Sequence, residues 1–193
     1  FNLLSNNEDF CNCLAIQSDG KIVSGGVNSL TSGLSQKLSV SRFTTNGLLD
    51  ATFNTSGTQG WLIIPNLPSY NYNFSSGIGI NSLGQIIISS YITKPTNDQC
   101  FGVAAVTSSG PFPGTLDTSF GSVLTPGQNT LDLSPTFTNL TGTSFSSGAN
   151  ALALQTDNKI VITGGFLDTT TSAEGFSLVR FNTNGLLDTT FGV

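Results

Sequence analysis

One phrase is written twice in this chain: LAIQSDGKIVSGG over residues 14–26 and LALQTDNKIVITGG over residues 152–165. A catalytic motif is needed once. A motif that returns at a fixed period is a structural unit, one that buries its apolar face only against its neighbours. A third, altered copy lies between them, IGINSLGQIIISSY over 78–91, with Leu83-Gly84-Gln85 where the first copy has Asp19-Gly20-Lys21. Each copy is followed by a second run: LSVSRFTTNGLLDATF (38–53), FGVAAVTSSGPFPGTLDTSF (101–120) and FSLVRFNTNGLLDTTF (176–191). The pairs Leu49-Asp50, Leu116-Asp117 and Leu187-Asp188 keep the same order, so the period is roughly 65 residues. Three repeats, 1–58, 59–121 and 122–193, span the chain as one continuous module, and the second is the divergent one.

The local signals inside a repeat are all β. Leu14 to Gln17 and Ile22 to Ser24 flank Ser18-Asp19-Gly20-Lys21, whose Asp-Gly pair predicts a tight hairpin with both turn residues at positive φ. Asn158 suits the same left-handed position in the third copy. Leu38, Val40 and Arg42 alternate with Ser39, Ser41 and Phe43, and Asn46-Gly47 then marks another turn. A leading strand is expected ahead of each hairpin, at 1–4 (FNLL), 61–67 (WLIIPNL) and 129–133 (NTLDL). Four short antiparallel strands per repeat, with no helical period, predict an all-β chain of three tandem four-stranded, propeller-like blades. The pairs Gly25-Gly26 and Gly164-Gly165, and the small residues Cys13, Gly77 and Ala151, suit faces where sheets approach closely.

The string A-I-Q-S-D-G-K-I-V-x-x-G-G … R-F-x-x-N-G-x-L-D-x-x-F resembles the delta-60 repeat of large bacterial exported proteins. The first and third repeats carry it well, the second only in outline. The resemblance implies a propeller-like β repeat without a defined activity, and it brings no catalytic or binding residues.

Composition narrows the function. Charged residues are 9% of the chain, well under the roughly 25% usual for soluble domains. Six Lys plus Arg against a net charge of −5 leave no basic patch for a phosphate backbone, so nucleic acid is not an expected partner. No apolar run approaches the ~18 residues of a membrane-spanning helix. The chain has no His, which removes the commonest general base and the commonest metal ligand, and neither a cofactor nor enzymatic activity is expected. The chain opens on Phe1 and contains no Met, as a processed exported protein or a segment of a longer one would. A secreted or cell-surface location is expected.

The remaining chemistry-bearing residues each carry a structural reading beside a functional one. Asp19, Asp157, Asp50, Asp117 and Asp188 recur with the repeat, as turn residues accepting from nearby amides. As calcium ligands they offer one carboxylate per turn against the ~6–8 oxygens needed. Cys11, Cys13 and Cys100 are either small packing residues at a blade interface or candidates for a bridge to Cys100, with a thiolate metal site the poorest option. Asn54, Asn73 and Asn139 match the glycosylation pattern. Trp61, Tyr70, Tyr72 and Tyr91 gather in the divergent repeat, as core residues or as a glycan- or protein-binding surface. Arg42 and Arg180 align with Ala105 in the repeat where Asp19 and Asp157 become Leu83, which points to the pairs Arg42–Asp19 and Arg180–Asp157. Phe53, Phe120 and Phe191, together with Phe10, Phe74 and Phe145, are expected to plug the gaps between sheets.

Three blades fall short of the four to eight that close a propeller. The expected assembly surface is therefore the two ends, Phe1, Asn2, Leu3 and Leu4 at one and Phe191 and Val193 at the other. Copies joined head to tail would form a ring or a filament, according to whether the rotation closes. The reading is a structural or adhesive exported protein whose partner is itself. The alternative is a binding segment of a longer surface protein, with glycan or protein as ligand.

Overall fold

The turn after each first strand sets the blade. Gln17 N–H donates to Lys21 O and Gly20 N–H to Gln17 O, so the loop needs one left-handed residue. Gly20 fills it at φ +82°, Gly84 at +76° and Asn158 at +64°. The turn is thus a four-residue loop with a single positive φ, and the expected pair of positive-φ residues is corrected. Asp19 and Asp157 accept from the amides of Lys21 and Lys159, the turn role expected of them.

A computed structural model describes residues 8–29, 36–68, 70–95, 98–133, 145–168 and 171–192. The first sheet runs in the order β1 (Glu8–Ile16), β2 (Ile22–Ser29), β3 (Gln36–Phe43), β4 (Trp61–Ile63). The second contains β5 (Asn71–Ile80), β6 (Gln85–Thr93) and β7 (Gln99–Thr107). After β7 come a two-stranded ribbon, β8 (Gly121–Ser122) with β9 (Thr125–Pro126), and then β10 (Gln128–Leu131), which pairs back onto β7. The third sheet is β11 (Phe145–Leu154), β12 (Ile160–Asp168) and β13 (Ala173–Phe181). All pairings are antiparallel. Among the described residues the chain is all-β, but its sheets have four, four and three strands with a ribbon, in place of three equal blades.

The strand phase also differs from expectation. Trp61–Ile63 pairs with Ser39–Ser41, and Gln128–Leu131 with Phe101–Ala104. The segments expected to lead the second and third blades therefore close the first and second, and the boundaries at 58/59 and 121/122 each cut a sheet from its last strand. The cause is local: Gly60 N–H donates to Phe53 O and Gly127 N–H to Phe120 O, and each loop folds its chain back beside the strand it has left. The first repeat's segment, 1–4, lies outside the described residues.

Each first strand carries a bulge, at Cys11/Cys13, Ser75/Gly77 and Ala149/Ala151. This explains one glycine of each pair. A Cβ at Gly26 would lie 1.9 Å from Phe10 O, and one at Gly164 would lie 1.8 Å from Gly148 O.

The sheets stack face to face. β5 packs across β1, β2 and β3, and β11 across β5, β6 and β7. Side chains alternate along a strand, so the middle sheet serves both neighbours. Ile86, Ile88, Ala104 and Val106 meet Val23, Val27, Leu38 and Val40 of the first sheet. Ile87, Phe101, Val103 and Ala105 meet Ile160, Ile162, Val179 and Phe181 of the third. A sheet covered on both faces has to be apolar at nearly every position. That requirement accounts for the apolar runs Ile86–Ile88 and Val103–Val106 of the second repeat.

Candidate interaction surface

The turn after each third strand holds an acid that ties its blade together. Arg42 Nε bonds Asp50 at 2.8 Å, and Lys21 Nζ reaches the same carboxylate at 3.1 Å. Arg180 Nε and Lys159 Nζ reach Asp188 at 2.8 and 2.9 Å. The pairings expected with Asp19 and Asp157 are wrong. The backbone decides it: Asp50 N–H donates to Arg42 O, Asp188 N–H donates to Arg180 O, and bridges at Phe43–Leu49 and Phe181–Leu187 lay the turn beside its strand. In the second repeat Ala105 replaces the arginine, and Gln85 stands where Lys21 and Lys159 do, donating to Asp117 at 2.7 Å.

Burial alone would raise the Asp50 carboxyl, but Thr52, Lys21 and Arg42 outweigh it and hold it far below the usual range. Burial likewise opposes the fall at Asp117, where Gln85 and Ser119 win. At Asp188 the Thr190 hydroxyl leads, with Lys159, and the carboxyl is again driven far down. These acids are structural fasteners. Among the described residues no group of three His, Cys, Asp or Glu is placed to hold a metal.

From the same turn each blade grips the next. Phe53 and Phe120, at the ends of their Leu-Asp turns, are fully buried as expected. A Cβ at Gly114 would lie 2.9 Å from the Phe53 ring, and one at Gly185 would lie 2.4 Å from the Phe120 ring. The next residue, Asn54 or Gly121, is left-handed (φ +53° and +87°) and sends its N–H to the following turn, at Pro113 O (2.7 Å) or Asn184 O (2.8 Å). Both joints thus share a ring seated on a glycine turn and a backbone hydrogen bond beside it. Phe191 and Gly192 repeat the knob: Arg180 stacks over Phe191 at 4.4 Å, and Gly192 is left-handed at φ +82°. Gly47 repeats the socket, with the φ +77° of its turn matching the +78° of Gly185, and nothing lies within 4 Å of a Cβ there.

The two outer sheet faces carry the same message. The residues of β13 equivalent to the buried Leu38/Phe101 and Val40/Val103 are Phe176 and Leu178, and they are 86% and 49% exposed. At the other end, Leu14 and Ile16 stand where Ile78/Ile80 and Leu152/Leu154 pack against a preceding sheet, and they are 65% and 67% exposed. None of these four was singled out from the sequence. Aligning them with the second repeat, in which both faces are filled, is the signal that finds them.

The other candidates fall as follows. Of the expected assembly residues, Phe1, Asn2, Leu3, Leu4 and Val193 lie outside the described residues, and Phe191 is half-buried. Cys11, Cys13 and Cys100 are free thiols, so the bridge to Cys100 is not formed. Cys13 packs against Gly25 opposite β5, whereas Cys100 is sealed in the first core, where burial pushes its thiol up to about 12. Gly77, equivalent to Cys13, does sit at a close approach, since its Cβ would lie 2.6 Å from Leu152 Cβ. Trp61 is buried and Tyr70 packs on the first core, so neither ring joins an exposed binding surface. Tyr91 packs on Phe74, ring centroids 5.5 Å apart, and the side chain of Tyr72 lies outside those described. Phe10 and Phe74 are 46% and 43% exposed, a correction to their expected burial, and the side chain of Phe145 is not among those described. Asn54 is buried with its amide on Trp61 O, which withdraws it as a glycosylation acceptor; the Asn73 side chain and Asn139 lie outside those described.

Among the described residues no helix is long and apolar enough to cross a membrane. No curated protein matches the chain. Residues 17–53 and 155–191 match the family model described as a domain of unknown function (DUF5122) beta-propeller. Both stretches run from the first hairpin turn through the Leu-Asp turn to its closing Phe, and over them the chain is similar to a β-propeller repeat.

Proposed function

We propose that this chain is a non-enzymatic, exported structural or adhesive module that joins copies of itself head to tail through its end blades. The observation that carries the reading is the exposure of Phe176 and Leu178 on a face that is wholly buried, residue for residue, at both internal joints. The covering element at those joints is the first strand of the next blade. The first strand of this chain presents Leu14 and Ile16 for the same use. A second copy is therefore the occupant, with Phe191 and Gly192 seated on its Gly47 turn.

The remaining chemistry supports a scaffold. Lys21, Arg42, Lys94, Lys159 and Arg180 are each paired with an Asp, which leaves little cationic surface for nucleic acid. Rotation at the joint decides between a closed ring and a filament.

Sedimentation velocity over a hundredfold concentration range tests the proposal. Species growing with concentration are expected, with an interface of more than about 1,000 Å² in total. Phe176→Ser with Leu178→Ser is expected to leave a folded monomer. A wild-type chain that stays monomeric throughout would overturn the reading.

A further inference from the structure

At the second joint one hairpin turn is tied to the next. Ser82 donates to Asn158 Oδ1 from its amide at 3.0 Å and from its hydroxyl at 2.9 Å. At the first joint the equivalent pair is Ser18 and Gly84, and glycine has no side chain with which to accept. Gly84 keeps the left-handed backbone of Asn158, φ +76° against +64°, but not its amide group. Ser18 and Gly84 both line an open cleft of about 810 Å³. That volume lies within the range of about 300–1,000 Å³ found for small-molecule sites. Arg42 adds to its wall: it is 3% exposed and reaches from β3 to Ser108 O on the second blade. Ala105, in its place on β7, has no side chain long enough to cross the second joint.

The lining decides what the cleft suits. Its two cations are already engaged. Arg42 bonds Asp50, Thr52 and Ser108 O, and Lys21 sits 3.1 Å from Asp50 and 3.9 Å from Asp19. An anion would have to compete with those two carboxylates, so a charged ligand is disfavoured. The second blade contributes Asn81, Ser82, Gly84 and Ser109, none of them charged. Gln17, also in the lining, has a buried Oε1 without a hydrogen-bond partner. A buried carbonyl oxygen with no donor is costly, and a small turn of this side chain presents it to a hydroxyl in the cleft. Sugar hydroxyls both donate and accept, which matches a mixed lining of carboxylate, amide and hydroxyl groups. An extended peptide calls for an open strand edge or apolar pockets, whereas this cleft is built mostly from turn residues with polar side chains.

We propose that the cleft between the hairpin turns of the first two blades binds a short neutral saccharide. Gln17 and Asp19 accept from its hydroxyls, and Ser18 and Ser109 bond it from the two blades. The site belongs to an internal joint and does not rest on head-to-tail assembly.

Amide shifts in nitrogen-15 spectra test the site, with maltotriose, cellotriose, mannotriose and triacetylchitotriose as probes at about 10 mM, where millimolar binding shows. At least one of them is expected to shift the Ser18, Asp19, Gly84 and Ser109 amides saturably. Gly84→Asn restores the acceptor present at the second joint and narrows the cleft. The atom nearest its new Cβ is Ser109 Oγ at 3.1 Å, a hydroxyl that can rotate aside. This variant is expected to bind at least tenfold more weakly, with its thermal melt unchanged or raised. Asp19→Ala removes an acceptor without filling the cleft, and it is also expected to weaken binding at least tenfold. No shift with any of the four saccharides overturns the proposal. Trigalacturonate or tetraglycine shifting those amides in their place overturns the ligand class. A saccharide held as tightly as by the wild-type chain in either folded variant overturns the site.

Discussion

Gly185 and Gly47 occupy the same position of the same turn, at φ +78° and +77°, and differ in what surrounds them. An alanine at either position pays the left-handed backbone penalty of about 1–2 kcal/mol. At Gly47 nothing lies within 4 Å of the new Cβ, so the cost ends there. At Gly185 the new Cβ would fall 2.4 Å from the Phe120 ring, and that ring is fully buried between sheets with no room to withdraw. Overpacking of this kind adds about 1–3 kcal/mol. Gly185→Ala is therefore expected to cost roughly 2–5 kcal/mol and Gly47→Ala roughly 1–2 kcal/mol. Urea titrations followed by far-ultraviolet circular dichroism, at a concentration where sedimentation shows monomer, measure both. A double variant with Phe120→Ala removes the ring, and the added cost of Gly185→Ala is expected to shrink to that of Gly47→Ala. Equal losses at the two glycines, or no rescue by Phe120→Ala, would refute the ring-on-turn joint. At assembling concentrations Gly47→Ala is expected to weaken association, because the same socket is then filled by Phe191 of another copy.

Three further outcomes follow from the turns and thiols. Asp50→Ala is expected to cost about 3–5 kcal/mol, because it strands the buried Arg42 guanidinium, while Asp19→Ala costs about 1 kcal/mol or less in urea melts. Asp50, Asp117 and Asp188 titrate lower in the folded chain than the ~3.9 of an unfolded Asp, so the unfolded chain binds more protons below about pH 5. Stability is thus present in full above that pH and lost as pH falls through 4 towards 2; thermal melts across that range that stay flat would contradict it. Iodoacetamide at pH 8 is expected to label the exposed Cys11 and to spare Cys100 until the chain is unfolded, as mass spectrometry of the two peptides will show.

The period, the positions of the hairpin turns and the β class were legible because they rest on local rules: alternation along a strand, a Gly or Asn suited to a left-handed turn position, one acid per Leu-Asp turn; the number of left-handed residues in each hairpin turn was not. The ownership of Trp61–Ile63 was not legible. A short apolar strand pairs equally well on paper with what precedes it or follows it, and the deciding contact, Gly60 N–H to Phe53 O, is a backbone bond without a side-chain signature. The Arg–Asp pairing was misread for a related reason. The joint loss of Arg42 and Asp19 in the second repeat does not mark a contact: Leu83, at the Asp19 position, is exposed, and the true partner, Asp50, has a counterpart in Asp117 held by Gln85. The end faces were hidden because Leu14 and Phe176 read as core residues in isolation. Only their equivalence to Ile78 and Phe101 shows what each lacks.

The central claim is that the two ends of the chain are complementary, and a mixing experiment addresses it directly. One variant carries Leu14→Ser and Ile16→Ser, leaving only the third-blade end intact. The other carries Phe176→Ser and Leu178→Ser, leaving only the first-blade end. Each alone is expected to sediment as a folded monomer at all concentrations, and an equimolar mixture is expected to form a one-to-one dimer that grows no further. A mixture that remains monomeric while the wild-type chain assembles, or either variant assembling alone, would contradict the account.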